Sequence, residues 1–373
     1  MPVREQPVAS YSRILAKTWS RDCFVRFIHT KVIKRLEATN FRVRDSTKNL
    51  KRKLLLPISG GISSITLLHV IDGHLQGQMS RTGRPAFEIE VLFITDGVQS
   101  DEDARKFLAL ARDRYPRHEY SITPLSMTES EGTHEDDAKP NPEDASDLLE
   151  TLKSLTSRSD IASVALTHAI VRYAEASGCE GVLWGDTTTR LAEKILASTA
   201  LGRGATLPWL VNDGVSPFTV PGSSETILFL YPMKDVLRKE LKTYSTVISL
   251  PTIHVSERST GAVVSSKNAT IDNLMKEYFE SVEKDYPSIV TNVVRTSSKL
   301  IASRETSTNT DGKELCCQLC GVPVPHGTFG IHGWGGSQDA EAGTSTDAPI
   351  PTDPVAATTR RYCYGCARST LPV

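Results

Sequence analysis

Residues 53–70 read KLLLPISGGISSITLLHV, and this stretch decides the fold class. Lys53 to Ser59 is a nearly continuous apolar run of strand length, the pattern of a strand buried on both faces. Gly60 and Gly61 break it, and from Ile62 the apolar residues of ISSITLLHVIDGHL recur at helical spacing. A buried strand, a glycine turn and a helix in immediate succession open an α/β unit.

Outward from this unit the alternation repeats. Residues 89–95 (IEVLFIT) predict a second buried strand, and 101–114 (DEDARKFLALARDR) a helix whose acidic first turn and basic last turn suit its dipole. HEYSITPL at 118–125 predicts a third strand. Residues 160–177 predict a helix opened by Asp160 and closed by Gly178. GVLW at 181–184 is a short strand running into a helix over 185–204, and ILFLY at 227–231 is a further strand. Helices follow over 234–244, 271–284 and 287–302. Upstream, Phe24, Phe27, Ile28, Val32, Ile33 and Leu36 take helical spacing among basic side chains over 21–38. Strands alternating with helices predict an α/β fold: an open, mostly parallel sheet with helices on both faces.

The chain of 373 residues is 39% hydrophobic and 23% charged, with a net charge of −1, an ordinary balance for a soluble globular protein. No window approaches the roughly 18 to 20 apolar residues of a membrane-spanning helix. The first thirty residues lack the apolar core of a secretory signal. They are basic and poor in acids, as a mitochondrial presequence would also be. Of seven cysteines, Cys316, Cys317, Cys320, Cys363 and Cys366 crowd into the C-terminal tail. That usage suits metal binding in a reducing compartment, so a cytoplasmic location is expected.

The near-zero net charge hides segregation. Residues 21–53 carry eleven basic against three acidic side chains, net +8, including Arg26, Lys31, Lys34, Arg35, Lys51, Arg52 and Lys53. Such a block either meets a phosphate-rich partner such as RNA or forms a solvated helix face. Residues 128–147 carry eight acids and one lysine, net −7, and read as a disordered insertion. The chain accordingly divides into a basic helical segment (1–44), an α/β domain (45–302) and a cysteine tail (303–373), the last interrupted by a low-complexity stretch over about 335–359.

Two constellations carry chemistry. Ser59, Gly60, Gly61, Ser63 and Ser64 stand between a strand and a helix, where backbone N–H groups and a helix N-terminus converge on an anion. The loop is neither a Walker A motif nor the dinucleotide glycine fingerprint, and glycine pairs also serve as simple turns. Asp186, just past GVLW, is placed to contact a nucleotide or metal, or else to cap the next helix; Arg190 would face a phosphate, and Asp96 has the same ambiguity as Asp186. The second constellation is Cys317-x-x-Cys320 with Cys363-x-x-Cys366, four thiolates that complete a closed tetrahedral zinc site. An iron–sulfur cluster is the competing occupant, Cys316 an alternative ligand, and His326 and His332 further donors. Glycines after Cys320 and before Cys366 suit tight knuckle turns. Cys179, at the end of an apolar helix, reads as a buried structural thiol, and Cys23 stands alone.

LPISGGISSITLLHV resembles the phosphate loop of the PP-loop ATP pyrophosphatases, whose usual form is S-G-G-x-D-S. LWGDTTTRLAEKILASTALGRG is similar to the second block of their tRNA-thiolation branch. The tail CCQLCGVPV … RRYCYGCARS and the basic segment RDCFVRFIHTKVIKRLE resemble the cytoplasmic tRNA 2-thiolation protein 2 family. The resemblance implies ATP bound on an α/β sheet, tRNA bound through the basic segment, with Arg360, Arg361 and Arg368 extending that surface, and structural zinc in the tail. It also implies a catalytic thiolase partner that receives sulfur from a ubiquitin-like carrier and acts on the wobble uridine of cytoplasmic tRNAs. One departure stands out: Ser63 occupies the aspartate position, and a hydroxyl lacks the charge that holds Mg²⁺. The expectation is therefore a non-catalytic or weakly catalytic subunit. The competing expectations are an adenylating tRNA sulfurtransferase active alone, and a zinc-containing interaction module with an empty loop.

Overall fold

In the computed structural model the first strand is β1 (Lys53–Ile58), and Leu54, Leu55, Leu56 and Ile58 are all buried. The structure describes residues 20–39, 52–95, 101–125, 152, 154–218, 226–250, 269–301, 316–324 and 362–370. The acidic stretch, the low-complexity stretch, Lys51, Asp96, His326, His332, Arg360 and Arg361 lie outside them.

Among the described residues, six strands form one sheet in the order β3-β2-β1-β4-β6-β5. The others are β2 (Glu88–Thr95), β3 (Glu119–Pro124), β4 (Gly181–Leu183), β5 (Gly214–Val215) and β6 (Leu228–Leu230). All pairings are parallel except β5 with β6. The two-residue β5 has too few positions for periodicity to reveal it.

Side chains alternate along β1. Leu54, Leu56 and Ile58 join one core with α1 (Arg21–Ala38), α2 (Ile62–Thr82), α3 (Asp101–Arg114) and α7 (Arg238–Ile248). Leu55 points the other way, into a core with α4 (Leu155–Ala176), α5 (Thr188–Ala200), α8 (Ile271–Asp285) and α9 (Pro287–Ser297). Helices thus cover both faces, as the pattern predicts. A third cluster holds Cys317, Cys320, Val322, Val324 and Cys366 against Val164 of α4 and Trp209 of the short α6 (Leu207–Val211). The last helix, α10 (Tyr364–Thr370), carries Cys366.

Three local expectations are corrected. Helix α4 begins at Leu155 after Ser154, so Asp160 is inside it rather than at its cap; it is 4% exposed and ion-paired. Helix α7 starts at Arg238 because Glu240 accepts from the Leu237 N–H at 2.8 Å, closing the first turn there. Lys234 instead lies buried in the preceding turn. The last sheet-covering helix, α9, stops at Ser297.

Candidate functional site

From β1 the chain runs outward to β2 and β3, then crosses back to β4 on the other side of β1. The order therefore reverses between β1 and β4, and the crevice beyond their carboxyl ends is the place where such sheets bind ligands. The loop after β1 and the segment after β4 both open there. A cleft of about 1130 Å³ runs from Ser59 and Gly61 past Trp184, Asp186, Arg190 and Lys194 to Arg203, Cys320 and Val322. One cavity thus joins the phosphate-type loop to the cysteine cluster, which the sequence analysis treats as separate sites.

Gly60 adopts a positive φ of 75° and Gly61 is the N-cap of α2, so the turn brings the first N–H groups of α2 to the cleft. Ser59 is exposed and Ser63 half-buried. Ser64 is 5% exposed and its Oγ donates to the Gly61 carbonyl at 3.1 Å, so its proton is engaged within the helix.

After β4, Thr187 rather than Asp186 caps α5, its hydroxyl accepting from the Arg190 N–H at 3.1 Å. Asp186 lines the cleft, and Lys194 Nζ donates to its Oδ2 at 2.6 Å. Arg190 and Arg238 flank the fully buried Glu193 at 3.0 and 2.7 Å. Burial works against the Arg190 charge, but Glu193 and Asp186 hold its pKa above the ordinary arginine value. Six basic side chains line the cleft (Arg158, Arg190, Lys194, Arg203, Arg238 and Lys276) against Asp160, Asp186 and Asp272. Most of this charge is paired, Lys194 with Asp186, Arg203 with Asp160, and Arg190 and Arg238 with Glu193. For a magnesium–nucleotide complex the donors suit the phosphates better than the metal: Ser63 brings no carboxylate, and Asp186 is neutralised by Lys194.

The tail brings Cys317, Cys320, Cys363 and Cys366 together, with all four sulfurs within 4.8 Å of one another. A tetrahedral zinc with Zn–S of about 2.3 Å requires S···S edges of roughly 3.8 Å. Cys320 and Cys363 Sγ are 3.7 Å apart. The Cys363 N–H donates to Cys317 Sγ at 3.1 Å, the kind of bond that orients a thiolate ligand. The donor set therefore fits a closed metal centre. Cys316 makes a β-bridge with Pro323 and stands outside the four. Gly321 makes the expected turn, with φ 66°. Gly365 does not: it lies in α10, and a Cβ there would fall 2.6 Å from Arg203 Cγ, so its role is close approach. Burial raises the Cys179 thiol to about 11, as fits an inert core residue.

The basic block divides. Arg26 and Lys34 are exposed on α1. Lys31 pairs with Glu240 at 3.0 Å, and Arg35 with Asp213 at 2.6 Å and Asp235 at 3.4 Å. Arg52 pairs with Glu180 at 2.8 Å, and Lys53 with Glu90 at 2.8 Å and Glu119 at 3.0 Å. These four clamp α1 and β1 to neighbouring elements. Arg368, on α10, donates to the Ala200 carbonyl at 3.2 Å.

Sequence reasoning missed Lys194, Trp184, Asp160 and Arg203. Lys194 lies two helical turns beyond Asp186, a spacing that could have flagged the pair. Asp160 and Arg203 are 43 residues apart with no local signal to join them.

No helix among the described residues is long and apolar enough to cross a membrane. The sequence profile of the cytoplasmic tRNA 2-thiolation protein 2 family matches residues 270–368. A protein of that name from Phaeosphaeria nodorum is 43% identical over 95% of this chain and 91% of its own length. Another from Pyrenophora tritici-repentis is 44% identical over 99% of this chain and 94% of its own. The U34-tRNA thiolase NcsA from Methanococcus maripaludis, solved with its [4Fe-4S] cluster, shares the fold. Its TM-score is 0.53 at 16% identity, covering 82% of this chain and 89% of that one. The phosphate-type loop, the cysteine tail and these full-length relatives together show that the chain belongs to the cytoplasmic tRNA 2-thiolation protein 2 family.

Proposed function

We propose that this protein is the non-catalytic or weakly catalytic subunit of a tRNA thiolase that converts the wobble uridine of cytoplasmic tRNAs to 2-thiouridine. A catalytic PP-loop partner activates the uracil C2 oxygen by adenylation and takes sulfur from a ubiquitin-like carrier. This chain contributes tRNA-binding surface and a zinc-stabilised tail. The observation that carries the reading is the state of the nucleotide-type cleft: Ser63 stands at the carboxylate position, and Asp186 is engaged by Lys194 at 2.6 Å. On this reading the loop's backbone N–H groups still meet a phosphate, while the cleft lacks a ready ligand for Mg²⁺ beside the loop.

On this reading Arg26 and Lys34 contact tRNA from the exposed side of α1, and the cleft cations extend that surface. The test is tRNA thiolation with ATP and a sulfur donor by the purified chain, alone and with the partner, alongside Mg²⁺-dependent pyrophosphate release. Turnover only in the presence of the partner is expected. Thiolation by the chain alone overturns the non-catalytic assignment. Metal analysis and absorbance of the purified chain decide between zinc, which is colourless, and a coloured iron–sulfur cluster.

A further inference from the structure

Arg203 is 8% exposed, sits just beyond α5, and divides its guanidinium between two partners. Its Nε and Nη2 donate to Asp160 Oδ1 and Oδ2, both at 2.7 Å, a bidentate fork onto α4. Its third arm, Nη1, donates to Cys366 Sγ at 3.3 Å. Asp160 also accepts from the Ser369 hydroxyl of α10 at 2.6 Å. The carboxylate thus fixes both the arginine and the helix that bears the cysteine. Gly365 lets the α10 backbone settle onto the Arg203 stem, where a Cβ would fall 2.6 Å from Cγ.

A thiolate ligand is normally oriented and tuned by an N–H donor outside the coordination sphere. Four thiolates on one divalent cation carry a net charge of −2, which is costly in a site where Cys317, Cys320 and Cys366 are at most 2% exposed. A guanidinium pinned beside one sulfur offsets part of that charge, and its planar fork allows three directed bonds that a lysine ammonium cannot reproduce.

We propose that Arg203 is a positioning residue of the four-cysteine metal centre: oriented by Asp160, it holds the Cys366 thiolate in place and offsets the charge of the loaded site. This rests on the metal reading above but assigns a role to a residue that coordinates nothing. Because Arg203 also lines the cleft, it links the metal centre to the cleft wall.

The test uses the full chain, stripped of metal and titrated with Zn²⁺ against a chromophoric chelator, and with Co²⁺ to read the thiolate-to-metal charge-transfer band. Arg203→Lys keeps a positive charge for Asp160 while removing the fork; Arg203→Met removes both. Zinc affinity is expected to fall about 10- to 100-fold in Arg203→Lys, and further in Arg203→Met. The cobalt band should shift, and metal-free Arg203→Lys should still unfold in one transition, at a melting temperature somewhat below wild type because the fork onto the buried Asp160 is lost. Unchanged affinity and spectrum in both variants overturn the proposal and leave the metal reading standing. A loss of zinc affinity with an unshifted cobalt band also overturns it, since the role is then structural. Failure of the wild type to bind either metal overturns both.

Discussion

Lys194 Nζ lies 2.6 Å from Asp186 Oδ2 in the cleft that the loop after β1 also lines, and so engages a carboxylate that faces this cleft. Only 12% of the Asp186 side chain is exposed. Removing the lysine would leave a largely buried carboxylate without its hydrogen-bonded counter-charge and with only the more distant Arg190 in its place, a condition that a divalent cation relieves. On the proposed reading, this pairing is what keeps Asp186 from serving a metal, and removing it is the way to test that reading.

Nucleotide binding should reflect this. The wild-type chain is expected to bind ATP no more tightly with Mg²⁺ than with chelator present, read by quenching of tryptophan fluorescence, since Trp184 lines the cleft. In Ser63→Asp/Lys194→Met, Mg²⁺ should tighten binding about tenfold, or ~1.4 kcal/mol. Strong Mg²⁺ dependence in the wild type would count against the assignment.

Docking of the tail depends on Gly202. Its φ is 75°, and a Cβ there would come 2.3 Å from Tyr364 Cε1. Gly202→Ala is expected to cost about 1–2 kcal/mol from the left-handed backbone alone, with the clash added. The melting temperature and zinc retention should both fall, and Tyr364→Ala in the same chain should restore only part of the loss. Full retention in Gly202→Ala would mean that the tail does not press on this turn.

Stability should fall on mild acidification through a half-buried histidine of α1. His29 Nε2 lies 2.6 Å from the Tyr244 hydroxyl, and burial, helped by His69 and His74, lowers its pKa to about 4. The unfolded chain takes up this proton near the ordinary pKa of 6.5, before the folded one does. The contribution is therefore complete above about pH 6.5 and is lost as pH falls toward 4. Burial lowers His69 and His74 in the same direction. Urea midpoints at pH 7.5 and 5 should drop more for the wild type than for His29→Gln; equal drops would exclude His29 as a source.

The basic block should separate into two classes by mutation. Arg26→Ala/Lys34→Ala should weaken tRNA binding with little change in melting temperature, and lower the salt slope of the affinity by about 2. Arg35→Ala should instead lower stability, because the part-buried Asp213 loses its partner at 2.6 Å. If Arg35→Ala alone abolished RNA binding without a stability cost, the division would be misdrawn.

The sequence alone determined five of the six strands, the helices on both faces, the glycine turn at the end of β1 and the two CxxC pairs, since each is written in residues adjacent along the chain. Alternation and helical spacing are local, and backbone geometry converts them directly into strands and helices; the first CxxC pair makes its turn at Gly321, whereas Cys366 of the second lies in α10. Tertiary structure alone decided which charges meet. Arg35 reaches Asp213 across 178 residues and Arg203 reaches Asp160 across 43, so a basic helix that reads as an RNA face is partly a fold clamp. The helix bearing Asp160 had the right pattern, yet its true start five residues earlier turned an expected cap into a buried anchor. A local pattern specifies where a side chain can point; its partner is set by the packing of distant elements, because a buried charge must find a counter-charge wherever the fold brings one.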